Sequence, residues 1–392
     1  MIRATNVKRG QISAEGLIRI KREAIPETRN AFLKEGDIVV VRSGAYTGDV
    51  AMITKGWAGS VAGYDLVVSL REQVDPAFCS FYLLGDGVQA YFRTQRARAA
   101  QSHLNRHQLE STEIPLPSLS EQRKIAGVLG VVQRAMEQQE RLLALTAELK
   151  KALLHQLFTA GLRGEPQKQT KIGPMPTSWT PTPLGTCCDI LSGSLSYTDF
   201  LKMAPSIDDD VIECMGVKVS DMNLSGNESR LATANLAKRL PLALAQRKLI
   251  PPNTVVFPKR GAAIATNKKR LTTTWTVLDP NLIGLRTKDS LDAEFLFHWS
   301  QTFDLRKITD PGPTPQLNKK DLVPVLIPLP SNFDEQRGIA AVISCVDSKL
   351  RCHQRKHTTL TDLFRTLLNQ LMTAQLRVYD LDLPGLEVAD EE

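Results

Sequence analysis

Histidine pairs come first among the residues that could do chemistry, because two neutral imidazoles one helical turn apart can hold a metal ion. His103 with His107 and His353 with His357 have that i,i+4 spacing. Neither pair has a suitably placed third ligand such as the glutamate of a His-Glu-x-x-His motif, and two donors do not complete a zinc site. Both pairs read as polar helix surface, and Cys352 beside His353 does not alter that. The six cysteines (Cys79, Cys187, Cys188, Cys214, Cys345 and Cys352) contain no Cys-x-x-Cys pair. Adjacent Cys187 and Cys188 are sterically poor joint ligands, so the set reads as reduced thiols. No Gly-x4-Gly-Lys-Ser/Thr loop is present to cradle phosphates.

Asp279-Pro280-Asn281-Leu282 shares an acidic residue and one proline with the motif that grips an extruded base in amino-methyltransferases, but the second proline and the stacking ring are missing. It reads as a turn before a strand. The expectation is a chain with no catalytic residue, metal or cofactor of its own.

What the chain does offer is cations. Lys and Arg number 49 against 42 Asp and Glu, a formal net charge of +7, which favours a polyanionic partner through phosphate neutralisation and counterion release. Reading DNA needs side chains that reach base edges as well as cations for phosphates. In the first half the candidates are Arg42, Ser43 and Tyr46, which flank Gly44 just after a β-branched run, and Arg93, Arg96, Arg98 and Arg106 around a polar loop. The second half offers Lys259 and Arg260 before Gly261, then Lys268, Lys269, Arg270, Arg306, Lys307, Lys319 and Lys320. A glycine directly after a strand lets a ligand approach the backbone closely. Each cluster is equally explained as a solvated charged face, and sequence alone does not separate the two.

The elements that must position these residues occur twice. Ile114-Pro115-Leu116-Pro117-Ser118, Glu121-Gln122-Arg123 and Ile125-Ala126 return as Ile327-Pro328-Leu329-Pro330-Ser331, Glu335-Gln336-Arg337 and Ile339-Ala340. Gln156 to Arg163 answers Gln370 to Arg377, and Leu104-Asn105 with Leu109 answers Leu317-Asn318 with Leu322. Further upstream, Leu33 to Val39 with Gly44 matches Leu249 to Val256 with Gly261, and Asp75 and Phe78 match Asp292 and Phe295. So long a period indicates a duplicated domain, not a solenoid.

After each Glu-Gln-Arg the chain loses its prolines and apolar residues recur at helical spacing. Ile125, Val128, Leu129, Val132, Met136, Leu142, Leu143, Leu149, Leu153 and Leu157 mark one long helix, with Ser120 as its cap and Gly161 and Gly164 at its end. The second stripe runs Ile339, Val342, Ile343, Val346, Leu350, Leu360, Leu363, Phe364, Leu367 and Leu371. Helices of that length cannot bury their stripes on small domains alone, so the two copies are expected to pack on each other, with Gln139 and His353 as polar breaks that fix register. Short β-branched runs at 37–41, 66–68, 255–257 and 282–283, with amphipathic helices at 77–84 and 294–301, make each globular part mixed α and β.

The expected fold class is therefore α+β: two mixed domains separated by two long helices packed as an antiparallel coiled coil. The expected boundaries are a first domain over 1–113, its helix with entry segment over 114–163, and a Pro-, Gly- and Thr-rich linker over 164–183. A second domain over 184–326, its helix over 327–377 and an acidic tail over 378–392 follow. The first domain looks short at its N-terminus, so either the start lies upstream or the tail after Arg377 completes it. No signal core and no apolar run of membrane-spanning length is seen, which makes the cytoplasm the natural compartment.

A variable mixed domain ending in Ile-Pro-Leu-Pro-Ser, then Glu-Gln-Arg, then a long helix, with the whole unit present twice, resembles the DNA specificity subunit of type I restriction-modification systems. The resemblance spans essentially the whole chain, and the paired order of motifs carries it. It implies two target-recognition domains that each read half of an asymmetric, interrupted DNA site, and helices that fix the spacer between the halves. The implied partners are double-stranded DNA, two adenine methyltransferase subunits and a restriction/translocase subunit. S-adenosylmethionine, ATP and Mg would belong to those partners and not to this chain. A recognition subunit of another multi-chain restriction enzyme and a coiled-coil scaffold remain as alternatives.

Overall fold

The computed structural model describes residues 1–8, 10–25, 32–97, 103–192, 195–206, 210–309, 312 and 315–381. The chain divides into two compact units whose boundaries cut across the sequence repeats: Met1–Leu142 with His353–Glu392, and Leu143–Cys352. Both cuts fall inside the long helices, Leu119–Ala160 of 42 residues and Phe333–Met372 of 40. At about 1.5 Å per residue each is about 60 Å long.

In the first unit, strand Ile38–Val40 lies between Val50–Met52 and Leu66–Val68, antiparallel to both. Side chains alternate across a strand, so Ile38 and Val40 pack with Cys79, Leu83, Phe92 and Leu104. Val39 and Val41 face the opposite way, toward Ile2, Val7, Leu33 and Ile53. Both faces are covered, which explains an unbroken apolar run. Helix Pro76–Leu84 is capped by Asp75, which accepts from Phe78 N at 2.8 Å. The second unit carries a five-stranded sheet in the order Arg230–Leu231, Arg270–Thr272, Val255–Pro258, Leu282–Thr287, Cys188–Leu191, and a three-stranded sheet centred on Val211–Val217. Its helix Ala293–Thr302 is capped by Asp292, which accepts from Phe295 N at 2.9 Å.

Within each unit the two long helices run antiparallel. Ile125, Val128 and Leu129 meet Leu368 and Leu371 in the first, while Leu153, Leu154 and Leu157 pack with Ile339 and Ile343 in the second. The register marker is made: His353 Nδ1 lies 2.9 Å from Gln139 Oε1.

The Glu-Gln-Arg motif works as a fastener in both copies. Gln122, 1% exposed, accepts from Asp75 N and donates to Gln73 O and Pro117 O. Gln336, also 1% exposed, accepts from Asp292 N and donates to Ser290 O and Pro330 O. One buried amide thus joins helix start, entry segment and domain helix, with its polar atoms satisfied. The neighbouring glutamate holds the chain that leaves the other repeat's helix: Glu121 pairs with Arg377 at 2.9 Å, and Glu335 accepts from Trp179 Nε1 at 3.2 Å. Leu376, Val378 and Leu381 accordingly join the apolar core of the first unit.

Three expectations need correction. The linker over 164–183 is structured: strands Gln167–Thr170 and Gly173–Pro176 form a hairpin, and Thr180–Pro183 pairs antiparallel with Leu326–Leu329. Met175 and Trp179 anchor it at 1% and 0% exposure, two apolar residues hidden in a Pro- and Thr-rich composition. The first long helix starts two residues earlier than a Ser120 cap requires, and Ser118 Oγ accepts from Glu121 N at 3.2 Å instead. Leu149 and Leu363, equivalent in the repeat, stand 50% and 44% exposed, off the packed face.

The second unit also contains a polar cluster. Lys150 Nζ meets Asp347 Oδ1 at 2.6 Å, with side chains only 17% and 9% exposed. His298, 1% exposed, shares a 2.9 Å hydrogen bond with Ser344 Oγ and lies 3.9 Å from Asp347 Oδ2. Removing one partner of a buried pair strands a charge and costs about 3–5 kcal/mol, whereas replacing both with apolar groups is often neutral or better. Lys150→Met should therefore destabilise the fold by that amount in denaturant titrations, and Lys150→Met with Asp347→Leu should recover most of it. A double variant no more stable than the single one would show that the pair itself stabilises.

Burial, with Lys150 and Arg230 nearby, pushes the His298 imidazole down to about 3. The folded protein keeps this ring neutral while the unfolded chain takes up a proton below about 6.5, so stability falls as pH drops from there toward 3. This one group should make the fold about 2 kcal/mol less stable at pH 5 than at pH 7. His298→Phe should flatten that part of the pH profile; an unchanged slope would assign it to other groups.

Candidate nucleic-acid interface

Each unit builds the same backbone feature at the end of its central strand. In the first, Arg42 follows Ile38–Val40; its carbonyl accepts from Leu104 N at 2.8 Å, and Ser43 bridges His103. In the second, Lys259 follows Val255–Pro258; its carbonyl accepts from Leu317 N at 2.9 Å, and Arg260 bridges Gln316. Gly44 at φ +89° and Gly261 at φ +66° turn the chain outward, and a Cβ on either would meet nothing within 4 Å. The turn needs glycine for its left-handed φ, not for want of space. Asn105 and Asn318 then start short helices: Asn105 Oδ1 accepts from Gln108 N at 2.9 Å, and Asn318 N donates to Asp321 Oδ2 at 2.8 Å.

Around these turns the cations separate into three kinds. Arg93, Arg260, Lys307, Lys319 and Lys320 are exposed, and Lys259 is half-buried. Arg106 and Arg306 are exposed but already hold carboxylates, Glu110 and Asp304, each at 2.7 Å. Arg306 holds the Asp304 carboxyl down to about 2. The third kind points inward. Lys269 is 4% exposed, bonds Asn267 Oδ1 and Phe303 O, and is pushed by burial down to about 8. Arg270 donates to Lys269 O and Met222 O, and Lys268 bonds Asn223 Oδ1. The run Lys268-Lys269-Arg270 therefore braces loops through these bonds, with only Lys269 buried, a distinction invisible in the charge pattern. Arg96 lies in helix Asp86–Ala97 with its side chain outside the described residues, as is Arg98 altogether.

Tyr46 is exposed beside the first turn, and Arg42 is half-buried there. Sequence reasoning missed Tyr64, 75% exposed, whose ring lies 5.1 Å from the Arg42 guanidinium, and His103, whose Nε2 accepts from Arg42 Nε at 2.8 Å. Neither is near Arg42 in the chain; their repeat equivalents, Asn281 and Gln316, were the available clue. The histidines weighed as metal ligands have other partners. His107 lies 3.9 Å from Glu110, and His357 Nε2 lies 3.1 Å from Glu140 Oε1. Among the described residues no helix is long and apolar enough to cross a membrane.

Comparison with known proteins names the class. Residues 3–147 match the family model for the type I restriction modification DNA specificity domain, and the internal repeat carries the same order of motifs into the second half. The chain is 20% identical over 366 residues to the type I restriction enzyme MjaVIII specificity subunit of Methanocaldococcus jannaschii, covering 90% of this chain and 82% of that one. It is 23% identical over 319 residues to the putative MjaX specificity subunit of the same organism, covering 79% and 70%. In fold it is similar to the type I restriction-modification S subunit from M. genitalium, with TM-score 0.59 at 16% identity over 90% of this chain and 91% of that one. Residues 3–147 thus match the type I DNA specificity domain, and most of the chain is similar to specificity subunits of type I restriction-modification systems.

The three kinds of cation predict different outcomes in DNA binding measured across a salt series. Lys259→Gln with Arg260→Gln should reduce the slope of log affinity against log salt by up to about 2, near one for each phosphate no longer neutralised. Lys269→Gln should lower thermal stability and leave the slope unchanged. The reverse pattern would exchange their roles.

Proposed function

We propose that this chain is the non-catalytic reader of a two-part, asymmetric DNA site, with one domain reading each half. It directs adenine methylation by two methyltransferase subunits and ATP-dependent cleavage by a restriction/translocase subunit. S-adenosylmethionine, ATP and Mg act in those partners. The observation that carries the reading is the duplicated strand-glycine turn, which repeats the carbonyl bond and the bridge that follow the central strand and differs in its side chains. Equal scaffolds with unequal side chains suit two half-sites of different sequence.

Expression with the methyltransferase subunit, followed by genome-wide methylation mapping, should reveal adenine methylation in a motif of two specified parts and a fixed unspecified gap. A single continuous motif would overturn the reading. On the same reading the long helices set the gap. Seven residues inserted after Thr146 and seven after Leu350 add two turns to each helix between the Lys150–Asp347 and Gln139–His353 contacts. That is about 10 Å, and the gap should grow by about three base pairs with both half-motifs unchanged. Altered half-motifs with a constant gap would refute the ruler.

A further inference from the structure

Arg42 is a half-buried arginine whose guanidinium, among the described residues, is held by neutral partners. Its N–H donates to Asp65 Oδ1 at 3.2 Å and its carbonyl accepts from Leu104 N at 2.8 Å, so its main chain is pinned at both ends. Its guanidinium is pinned as well: Nε donates to His103 Nε2 at 2.8 Å, and the group lies 5.1 Å from the centre of the Tyr64 ring. Both side-chain partners are neutral groups, since a histidine nitrogen that accepts a hydrogen bond carries no proton. Arg106, Arg286 and Arg306 differ, each meeting a carboxylate at 2.6 to 2.7 Å. Among the described residues no acceptor meets either Nη of Arg42 and no carboxylate pairs with its guanidinium.

Holding an arginine this way has a specific consequence. A phosphate contact asks only for a cation within reach, which a flexible lysine supplies. A planar fork whose Nε is occupied and whose face rests on a ring presents its two Nη in one direction, which suits a pair of acceptors in one plane, such as O6 and N7 of guanine in the major groove. The ordering is already present, so binding does not have to supply it. The second unit keeps the carbonyl bond and the bridge at this position, but Lys259 N donates to Asn281 O at 2.8 Å where Arg42 N meets a carboxylate, and lysine replaces the arginine, Asn281 the ring and Gln316 the histidine. The scaffold is shared and the fork is not.

We propose that Arg42, oriented by Tyr64 and His103, reads a guanine in the half-site of the first domain; this rests on the two-part recognition proposed above. The test is methylation mapping with the full chain and its methyltransferase subunit. Arg42→Lys should relax one guanine position of one half-motif, lowering discrimination there about 5- to 150-fold, the range for one bidentate base contact. Tyr64→Leu, a change at an exposed ring, should relax the same position to a lesser degree, and it carries the test if Arg42→Lys protein fails to accumulate. Uniform weakening at an unchanged motif would make Arg42 a phosphate contact and overturn the proposal, as would relaxation at a position other than guanine. A wild-type chain that yields no two-part motif would instead sink the proposed function.

Discussion

The structure depends on two long helices running antiparallel, because that arrangement makes each compact unit out of both repeats. Each helix begins in one unit and ends in the other, and the chain leaving it seals the far end. Glu121 receives Arg377 and Glu335 receives Trp179, equivalent carboxylates holding the outgoing segments of opposite repeats. Neither repeat closes its own core. The first lacks Leu376, Val378 and Leu381, and the second lacks Leu153, Leu157 and Phe158, until the other supplies them.

Exchange of this kind raises a problem of identity, since nearly equal helices could pair like with like. The polar cluster of the second unit shows how the sequence discriminates. Lys150, Asp347 and His298 occupy positions equivalent to Phe364, Gln133 and Phe81 in the first unit, where the two phenylalanines meet edge to face at 5.9 Å. A first-repeat helix packed on another of its kind would bury Lys150 with no carboxylate, and a second-repeat pair would bury Asp347 with no ammonium. Uncompensated buried charge is among the costliest errors a fold can make. The pair therefore specifies unlike pairing more than it stabilises the correct one.

Legibility in the sequence followed physical redundancy. Gln122 and Gln336 each satisfy three main-chain groups at a crowded junction, and no other side chain of that length both donates and accepts so well, so the motif around them survives in both copies and exposes the duplication. Helices and strands were legible because apolar periodicity is a direct image of burial. The second-unit hairpin was not, because two residues, Met175 and Trp179, do the anchoring that elsewhere takes a whole stripe. Leu149 and Leu363 were misplaced for a related reason: a helix stripe gives the angle of the packed face only to within a residue, and Lys150, one position on, takes the buried place.

The candidate site was least legible, and its residues explain why. Charge is a property of a residue, but availability is a property of its surroundings. Lys269 and Lys319 are the same letter, yet one is 4% exposed and bonded to a carbonyl while the other is exposed. Arg42 gains its direction from Tyr64 and His103, two residues brought to it by the strand register that sets Val40 opposite Leu66 and by the bridge between Ser43 and His103. In the second unit the same register delivers Asn281 and Gln316 to Lys259. Specificity in such a molecule is a matter of what a fixed sheet carries to the end of one strand, which is why the scaffold repeats faithfully while the residues it presents do not.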